Sequence, residues 1–433
     1  MNSPSSIQHL LDFIDASPSP WHAVQSVEQQ LAAYRFVRLD ETANWSLRPG
    51  GRYYVIRDGS AIIAFVAGQQ ALADTGFKII GAHTDSPGLR IKPNAASYLD
   101  GHLRLGVEVY GGPILATFAD RDLSLAGRIS HKNELGQVES RLIQFDQALL
   151  RLPNLAIHMN RSVNDDGLKL HKQNELPLIL ARCTEDQLPQ PYFLSLLQQQ
   201  SGLPLTQILS WDLNVYDTQK GVVWGAENEF YADSQLDNLA SCHAAITALL
   251  DDAVLEARST LVCALFDHEE VGSESSKGAD GGFLPDILQR IALATATGPQ
   301  DYARALAQSM LVSADMAHAY QPNFPLAYDP DHKVLINKGP VIKINAGQRY
   351  STESHSAALF AGWCEEAGVP YQKYSHRCDL PCGSTIGPIT AAKLGIRSVD
   401  VGNPMWAMHS IRESAGVLDH AYMISVMTRF FTG

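Results

Sequence analysis

Seven side chains able to bind a metal or move a proton lie at or just beyond apolar runs in this chain. "FKIIGAHTD" runs into His83 and Asp85, and "TLVCALFDHEE" into Glu269 and Glu270. "MLVSAD" ends in Asp315, "SVDVGNPMWAMHS" passes through a loop to His409, and Asp237 stands in "DSQLDNLASC" where a long helical pattern begins. Carboxylates are costly to bury unless they are paired or hold a cation. Any one of these residues alone reads as a solvated turn or a helix-end acid. Together, at one edge of one sheet, they would converge.

Imidazole and carboxylate donors suit zinc, and cobalt and manganese share that preference. Five protein ligands would serve two ions: His83 and His409 as terminal ligands, Asp237 as the bridge, Glu270 and Asp315 as the remaining carboxylates. Their formal charge of −3 against +4 leaves a residual positive charge that polarises a carbonyl and favours hydroxide. Asp85, two residues after His83, is placed to hydrogen-bond the far imidazole nitrogen and fix its tautomer. With Glu269 and Glu270 adjacent, one can ligate while the other stays free for proton transfer. Spacing alone does not say which does which.

The elements that must position these residues follow from hydropathy. The runs "RYYVIR", "SAIIAFVAG" and "FKIIGAH" read as strands after two N-terminal helices. Strand and helix alternation returns with "LDNLASCHAAITALLDDAV" and continues to "IRSVDVGNP". Between them the texture changes to short β-like runs such as "HLRLGVEVY" and "LSLAGRIS". Alternation predicts an α/β fold, a mixed and mostly parallel sheet flanked by helices. The expected organisation is one α/β domain built from residues 1–92 and 231–433, with a β-rich insertion over residues 93–230. In an open parallel sheet, ligands bind beyond the carboxyl ends of the strands, which is where the candidate residues fall.

The 433-residue chain has ordinary globular composition and a formal net charge of −13. That balance argues against nucleic acid, whose binders carry basic surfaces. An acidic substrate would have to be recognised locally. The six cysteines are scattered and follow no zinc-finger spacing. Their use, an N-terminal stretch without a basic and apolar leader, and no run of about 20 apolar residues predict a cytoplasmic protein that does not enter a membrane.

The motifs "ASPSPWHAV", "GAHTDSPGLRIKP", "DRDLSLAGR", "PNLAIHMNR", "QLDNLASC", "DHEEVGSES", "SADMAHA", "KGPVIKINAGQRY", "PCGSTIGPI" and "MWAMHSIRE" together resemble the aspartyl aminopeptidases, over nearly the whole chain. The resemblance implies a zinc-exopeptidase fold with two zinc ions per subunit and release of a single N-terminal residue, Asp or Glu preferred. The attacking water would bridge the metals. It makes Glu269 the general base and Glu270 a ligand, with His83, Asp237, Asp315 and His409 the other ligands and Asp237 bridging. Lys343 matches the lysine that pairs with the substrate's acidic side chain, and Tyr350 a pocket neighbour. His158 matches a histidine that reaches the active site of a partner subunit. The β-rich insertion would form the dimer contact of a tetrahedral dodecamer. Two stretches depart from the family: Gln321-Pro322-Asn323, where relatives have a histidine, and "YGGPILATFADRDL", where relatives often carry glycine and tryptophan.

Overall fold

A computed structural model describes residues 4–433. After two helices, Pro4–Asp15 and Pro20–Ala33, the chain lays down four strands: β1 (Val37–Arg38), β2 (Arg52–Arg57), β3 (Ala61–Val66) and β4 (Phe77–His83). It then builds β5 (Gly88–Leu99), β6 (His102–Tyr110), β7 (Leu123–Lys132), β8 (Val138–Gln144), β9 (Leu178–Arg182) and β10 (Ile208–Asp217). A short hairpin follows, β11 (Val222–Trp224) and β12 (Phe230–Asp233). The last third supplies β13 (Thr260–Phe266), β14 (Met310–Ala314), β15 (Ala317–His318), β16 (Val341–Ile344), β17 (Gln372–Ser375), β18 (Arg397–Gly402), β19 (Pro404–Trp406) and β20 (Glu413–Gly416).

These strands form three sheets. The main one is nine-stranded, ordered β1-β2-β3-β13-β4-β14-β18-β16-β17. Its centre is parallel: β4 pairs in parallel with both β13 and β14, and β14 with β18. β5 to β10 form a separate six-stranded sheet in the order β8-β7-β10-β5-β6-β9, paired antiparallel throughout. A five-stranded sheet, β11-β12-β20-β19-β15, flanks the site.

The central strands read as unbroken apolar runs because both faces are covered. In β13, Leu261, Cys263 and Leu265 face a core shared with the helices Pro4–Asp15, Leu236–Leu249 and Val417–Thr432. Val262, Ala264 and Phe266 face the opposite core, with Phe283, Ile287 and Ile291 of the helix Phe283–Ala294. The period of two thus sorts one strand between two cores. The six-stranded sheet has its own core, in which Phe193 and Leu197 of the helix Pro189–Ser201 cover Leu89, Leu105 and Leu125. Cys242, Cys263 and Cys364 are buried thiols, and no disulfide forms among the described residues. No described helix is long and apolar enough to cross a membrane.

Candidate active site

The carboxyl ends of β4, β13 and β14 meet at one point, and that is where the strand-end residues gather. His83 closes β4 with its ring buried. Its Nε2 lies 3.5 Å from Asp237 Oδ1, 3.9 Å from Asp315 Oδ1 and 4.0 Å from Glu269 Oε2. His409 approaches from the other side, its Nε2 3.4 Å from Asp237 Oδ2 and 3.5 Å from Glu270 Oε2. Asp237 therefore sits between two imidazoles, presenting one oxygen to each.

Local backbone explains each placement. Asp237 lies in the first turn of Leu236–Leu249 but is turned out of helical geometry (φ −82°, ψ 103°), and its peptide bond to Asn238 is cis. Past β13 the chain reverses sharply: His268 takes a left-handed conformation (φ 65°) and a short 3₁₀ turn, Glu269–Val271, carries both glutamates. Asp315 follows β14 directly, and its N–H donates to Val401 O of the neighbouring strand at 2.9 Å.

Two further carboxylates hold this arrangement from behind. Asp85 is fully buried. It accepts from Glu269 N at 3.2 Å, Glu270 N at 3.1 Å and the Tyr110 hydroxyl at 2.7 Å. His83 Nδ1 lies 2.9 Å from the Asp85 carbonyl oxygen and 3.4 Å from its carboxylate. Glu413, like Tyr110, is a residue that sequence reasoning missed. Its two oxygens accept the backbone N–H of Asp237 at 3.0 Å and of His409 at 2.7 Å. The "IRE" of "MWAMHSIRE" was the available signal, but nothing in its spacing says that the glutamate turns inward.

The insertion also reaches in, through "YGG" at the end of β6. Tyr110 donates to Asp85, and His409 Nδ1 lies 3.1 Å from Gly112 O. Gly111 has φ +65°, and a Cβ there would stand 3.1 Å from Glu270 Cβ. Only glycine meets both conditions comfortably.

The electrostatics are those of a site with surplus negative charge. Burial pushes the Glu269 carboxyl up to about 8, with Asp315, Asp85 and Asp237 adding to the rise and His83 opposing it. Burial, reinforced by Asp237, pushes Glu270 well above the carboxylate range. Burial works against a charged His83, but the nearby carboxylates of Asp237, Asp315 and Asp85 outweigh that and raise its pKa. His409 is likewise raised, to about 8, where Asp237 overcomes burial. Burial raises Glu413 to about 8 against the two backbone donors. Asp237 runs the other way: burial opposes its charge, but His409 and His83 more than compensate and hold its carboxyl below the usual carboxylate range. Asp237 Oδ1 is buried without a hydrogen-bond donor. His83, Asp237 and Glu270 can each bring one ligand atom within 4.8 Å of the others. The donor set therefore fits divalent metal of the nitrogen- and oxygen-binding kind.

Lys343 and Tyr350 lie beside this cluster. Lys343 belongs to β16 and is buried, with Nζ donating to Met316 O at 3.0 Å and lying 3.8 Å from Asp315 Oδ2. The same Nζ stands 5.2 Å from the centre of the buried Tyr350 ring. His158 does not join them. It occupies an exposed turn of the insertion, within a long irregular stretch between β8 and β9.

Helices on both faces of a mixed sheet, with imidazoles and carboxylates massed at one edge, make the frame of a metallohydrolase. The chain belongs to the M18 peptidase family: the family's profile, described as aminopeptidase I zinc metalloprotease (M18), matches residues 13–431. A probable M18 family aminopeptidase 2 from Stutzerimonas stutzeri is 47% identical over 429 residues, covering 98% of this chain and 97% of that protein. A chain in the cryo-EM structure of the Ape4 and Nbr1 complex superposes with a TM-score of 0.94 at 38% identity, covering 98% of this chain and 85% of that one. The S. cerevisiae mApe1 dodecamer gives a TM-score of 0.86 at 28% identity, over 98% of this chain and 95% of that one. The family is one of hydrolases, zinc metalloproteases that act as aminopeptidases.

Proposed function

We propose that this chain is a two-zinc aminopeptidase that removes one residue at a time from peptides beginning with aspartate or glutamate. The observation that carries the reading is Asp237, buried, with one oxygen toward His83 and the other toward His409. That suits a bridging carboxylate. His83 and Asp315 would complete one ion's ligands and His409 and Glu270 the other's. Cobalt or manganese could replace zinc in the same donors. When bound, the metals supply Lewis-acid polarisation of the scissile carbonyl and a nucleophilic water at neutral pH.

The remaining work falls to the chain's own side chains. Glu269 is the base: it takes the proton of the attacking water and passes it to the leaving amine. Cationic charge in the site favours its carboxylate form and draws its raised pKa down toward the working range. Asp85 fixes the turn carrying both glutamates and the tautomer of His83. The ligand carboxylates also attract the substrate's free α-ammonium, which confines cleavage to the first residue. Lys343 selects an acidic side chain. A buried ammonium with one carbonyl partner and a carboxylate at 3.8 Å keeps donors for a second carboxylate, and Tyr350 walls the same pocket.

Self-association belongs to the same reading. A tetrahedral dodecamer of dimers, paired through a dimerisation domain at residues 93–230, would bring the exposed His158 to a partner's active site. The dodecameric assembly of the yeast relative supports this. A panel of peptides differing only in the first residue, with wild type and Glu269→Gln side by side in zinc, tests the reading. Fast release of Asp or Glu by wild type, and a variant that keeps both metals without turnover, is the expected result. Preference for neutral residues would keep the chemistry and remove the acidic pocket. Loss of metal from Glu269→Gln would overturn the assignment of Glu269 as base.

A further inference from the structure

We infer that Lys277 is a positioning residue: it clamps the loop that carries Glu269 and Glu270 and fastens that loop to the six-stranded sheet. Its weight in catalysis rests on the reading of Glu269 as the base. The loop leaves β13 at Asp267 and returns to the same point at Lys277, where Asp267 N–H donates to Lys277 O at 3.2 Å. The side chains close the same gap. Lys277 Nζ lies 3.0 Å from Asp267 Oδ2 and donates to Ser60 Oγ at 2.6 Å, and that hydroxyl donates to Asp267 Oδ2 at 2.7 Å. Asp267 Oδ1 accepts the His268 N–H at 2.8 Å, one residue before the base. Ser60, Asp267 and Lys277 are all buried.

A buried ammonium and a buried carboxylate each need the other. His268 Nε2 lies farther from the same Asp267 oxygen, at 3.7 Å, and its Nδ1 is engaged with Ser275 Oγ. Lys277 also reaches outward. Its Nζ stands 3.2 Å from Asp58 Oδ2, in the turn between β2 and β3. Arg128, on β7, takes the Asp58 carboxylate with both Nη atoms, at 3.0 and 3.3 Å, and its Nε donates to Asp212 of β10 at 2.8 Å. The buried Trp21 ring lies beside both cations, its centre 5.5 Å from Lys277 Nζ and 4.9 Å from the Arg128 guanidinium carbon. An unbroken chain of charges, Asp212, Arg128, Asp58, Lys277 and Asp267, therefore runs from the six-stranded sheet to the base of the glutamate loop. Ser60 carries a branch, since its carbonyl accepts the hydroxyl of Thr84, between His83 and Asp85, at 2.7 Å.

The glutamate loop is thus gripped at two places. Asp85 holds the backbone N–H groups of Glu269 and Glu270, and Lys277 holds the point where the loop begins and ends. With the second grip gone, the base is free to shift against a site fixed by the other strands, and a displacement of about 1 Å costs about 100-fold in rate.

The test uses the zinc-loaded full chain, assayed below the melting temperature of every variant. Lys277→Met should lower kcat on an acidic peptide about 10–100-fold with KM and zinc content little changed, and Lys277→Arg should recover most of the loss. Amide hydrogen exchange at Glu269 and Glu270 should quicken in Lys277→Met and not in Lys277→Arg. Arg128→Met should cost less, and nothing further when added to Lys277→Met. A folded Lys277→Met with a lower melting temperature but unchanged kcat makes the lysine merely structural and overturns the proposal, as does an arginine no better than methionine. If Lys277→Met does not fold, Arg128→Met decides, and unchanged kcat with unchanged exchange overturns the proposal. Glu269→Gln, run alongside, keeps the two readings apart: turnover surviving there sinks the base assignment, and the exchange rates then judge the clamp by themselves.

Discussion

Asp85→Asn is the most demanding test of how the site is held. Three donors converge on this carboxylate, the Tyr110 hydroxyl and the Glu269 and Glu270 backbone N–H groups, while His83 Nδ1, 3.4 Å away, bonds the Asp85 main-chain carbonyl instead. A carboxylate can accept them all. The isosteric amide offers one oxygen with two lone pairs, and its NH₂ meets donors on the other side. One or two of the three contacts are therefore lost, according to which side the NH₂ takes. Each buried donor left unpaired costs about 1–3 kcal/mol, so roughly 1–6 kcal/mol is withdrawn from the glutamate turn. Burial opposes the charge of Asp85, but His83 and Tyr110 more than compensate and hold its pKa below the usual carboxylate range, so the lost charge matters as well. We expect a folded protein with about 10–100-fold lower metal affinity or kcat. Tyr110→Phe, which removes one donor and leaves the carboxylate, should cost far less. The assays are zinc competition against a chelator, thermal unfolding, and kcat and KM on one acidic peptide. Near wild-type metal affinity and kcat in Asp85→Asn would refute the reasoning, because the turn would then be held by something else.

Glu413→Gln faces one buried N–H, of Asp237 or His409, with another donor; zinc affinity should fall about 10–100-fold with the fold retained, and an unchanged chelator titration would count against it. Lys343→Met removes a charge-assisted contact, so kcat/KM for Asp over Leu peptides should narrow by about 10–100-fold; an unchanged ratio takes Lys343 out of the pocket. Burial pushes His22 down to about 4 in the folded chain, while the unfolded chain titrates near 6.5. The unfolded state then binds the extra proton, so this contribution is present above about 6.5, lost as pH falls toward 4, and constant below; it amounts to roughly 3 kcal/mol. The stability gap between wild type and His22→Gln should close over that interval in acid denaturant titrations. Parallel curves would show that His22 does not titrate differently in the two states.

What the sequence discloses about this site follows chain direction. His83, Asp315 and the Glu269–Glu270 pair are legible because a parallel strand has one ligand-facing end, and the residue after an apolar run lies there. Glu413 and Tyr110 are not, because their part is to accept or donate across sheets. Glu413 meets Asp237 only because β20 pairs with β12, and Tyr110 meets Asp85 only because β6 doubles back along β5. Lys343 shows a local rule giving way to its surroundings. A lysine in a strand ordinarily points to solvent, but β16 lies inside the sheet between β18 and β17, and Asp315 waits beside it. The change to β-rich texture is visible in the sequence. That the insertion lends "YGG" to the site is not, since tight glycine turns are common and only the close approach to Glu270 gives this one meaning.

The position of β4 has a consequence for how the protein is made. It lies between β13 and β14, with Phe77 opposite Thr260 and Lys78 opposite Met310. Its neighbours on both sides emerge from the ribosome only after the whole six-stranded sheet. Until then β4 has two open edges and no partner, and the turn after it cannot hold His83 in place. The six-stranded sheet is built from consecutive strands, β5 to β10, but the middle of the main sheet must wait for its second half. Such late, long-range pairing is slow and leaves apolar strands exposed. Shortened nascent chains ending before Ala314 should therefore depend on chaperones to stay soluble, and competence to bind metal should arrive in one step, near the end of translation.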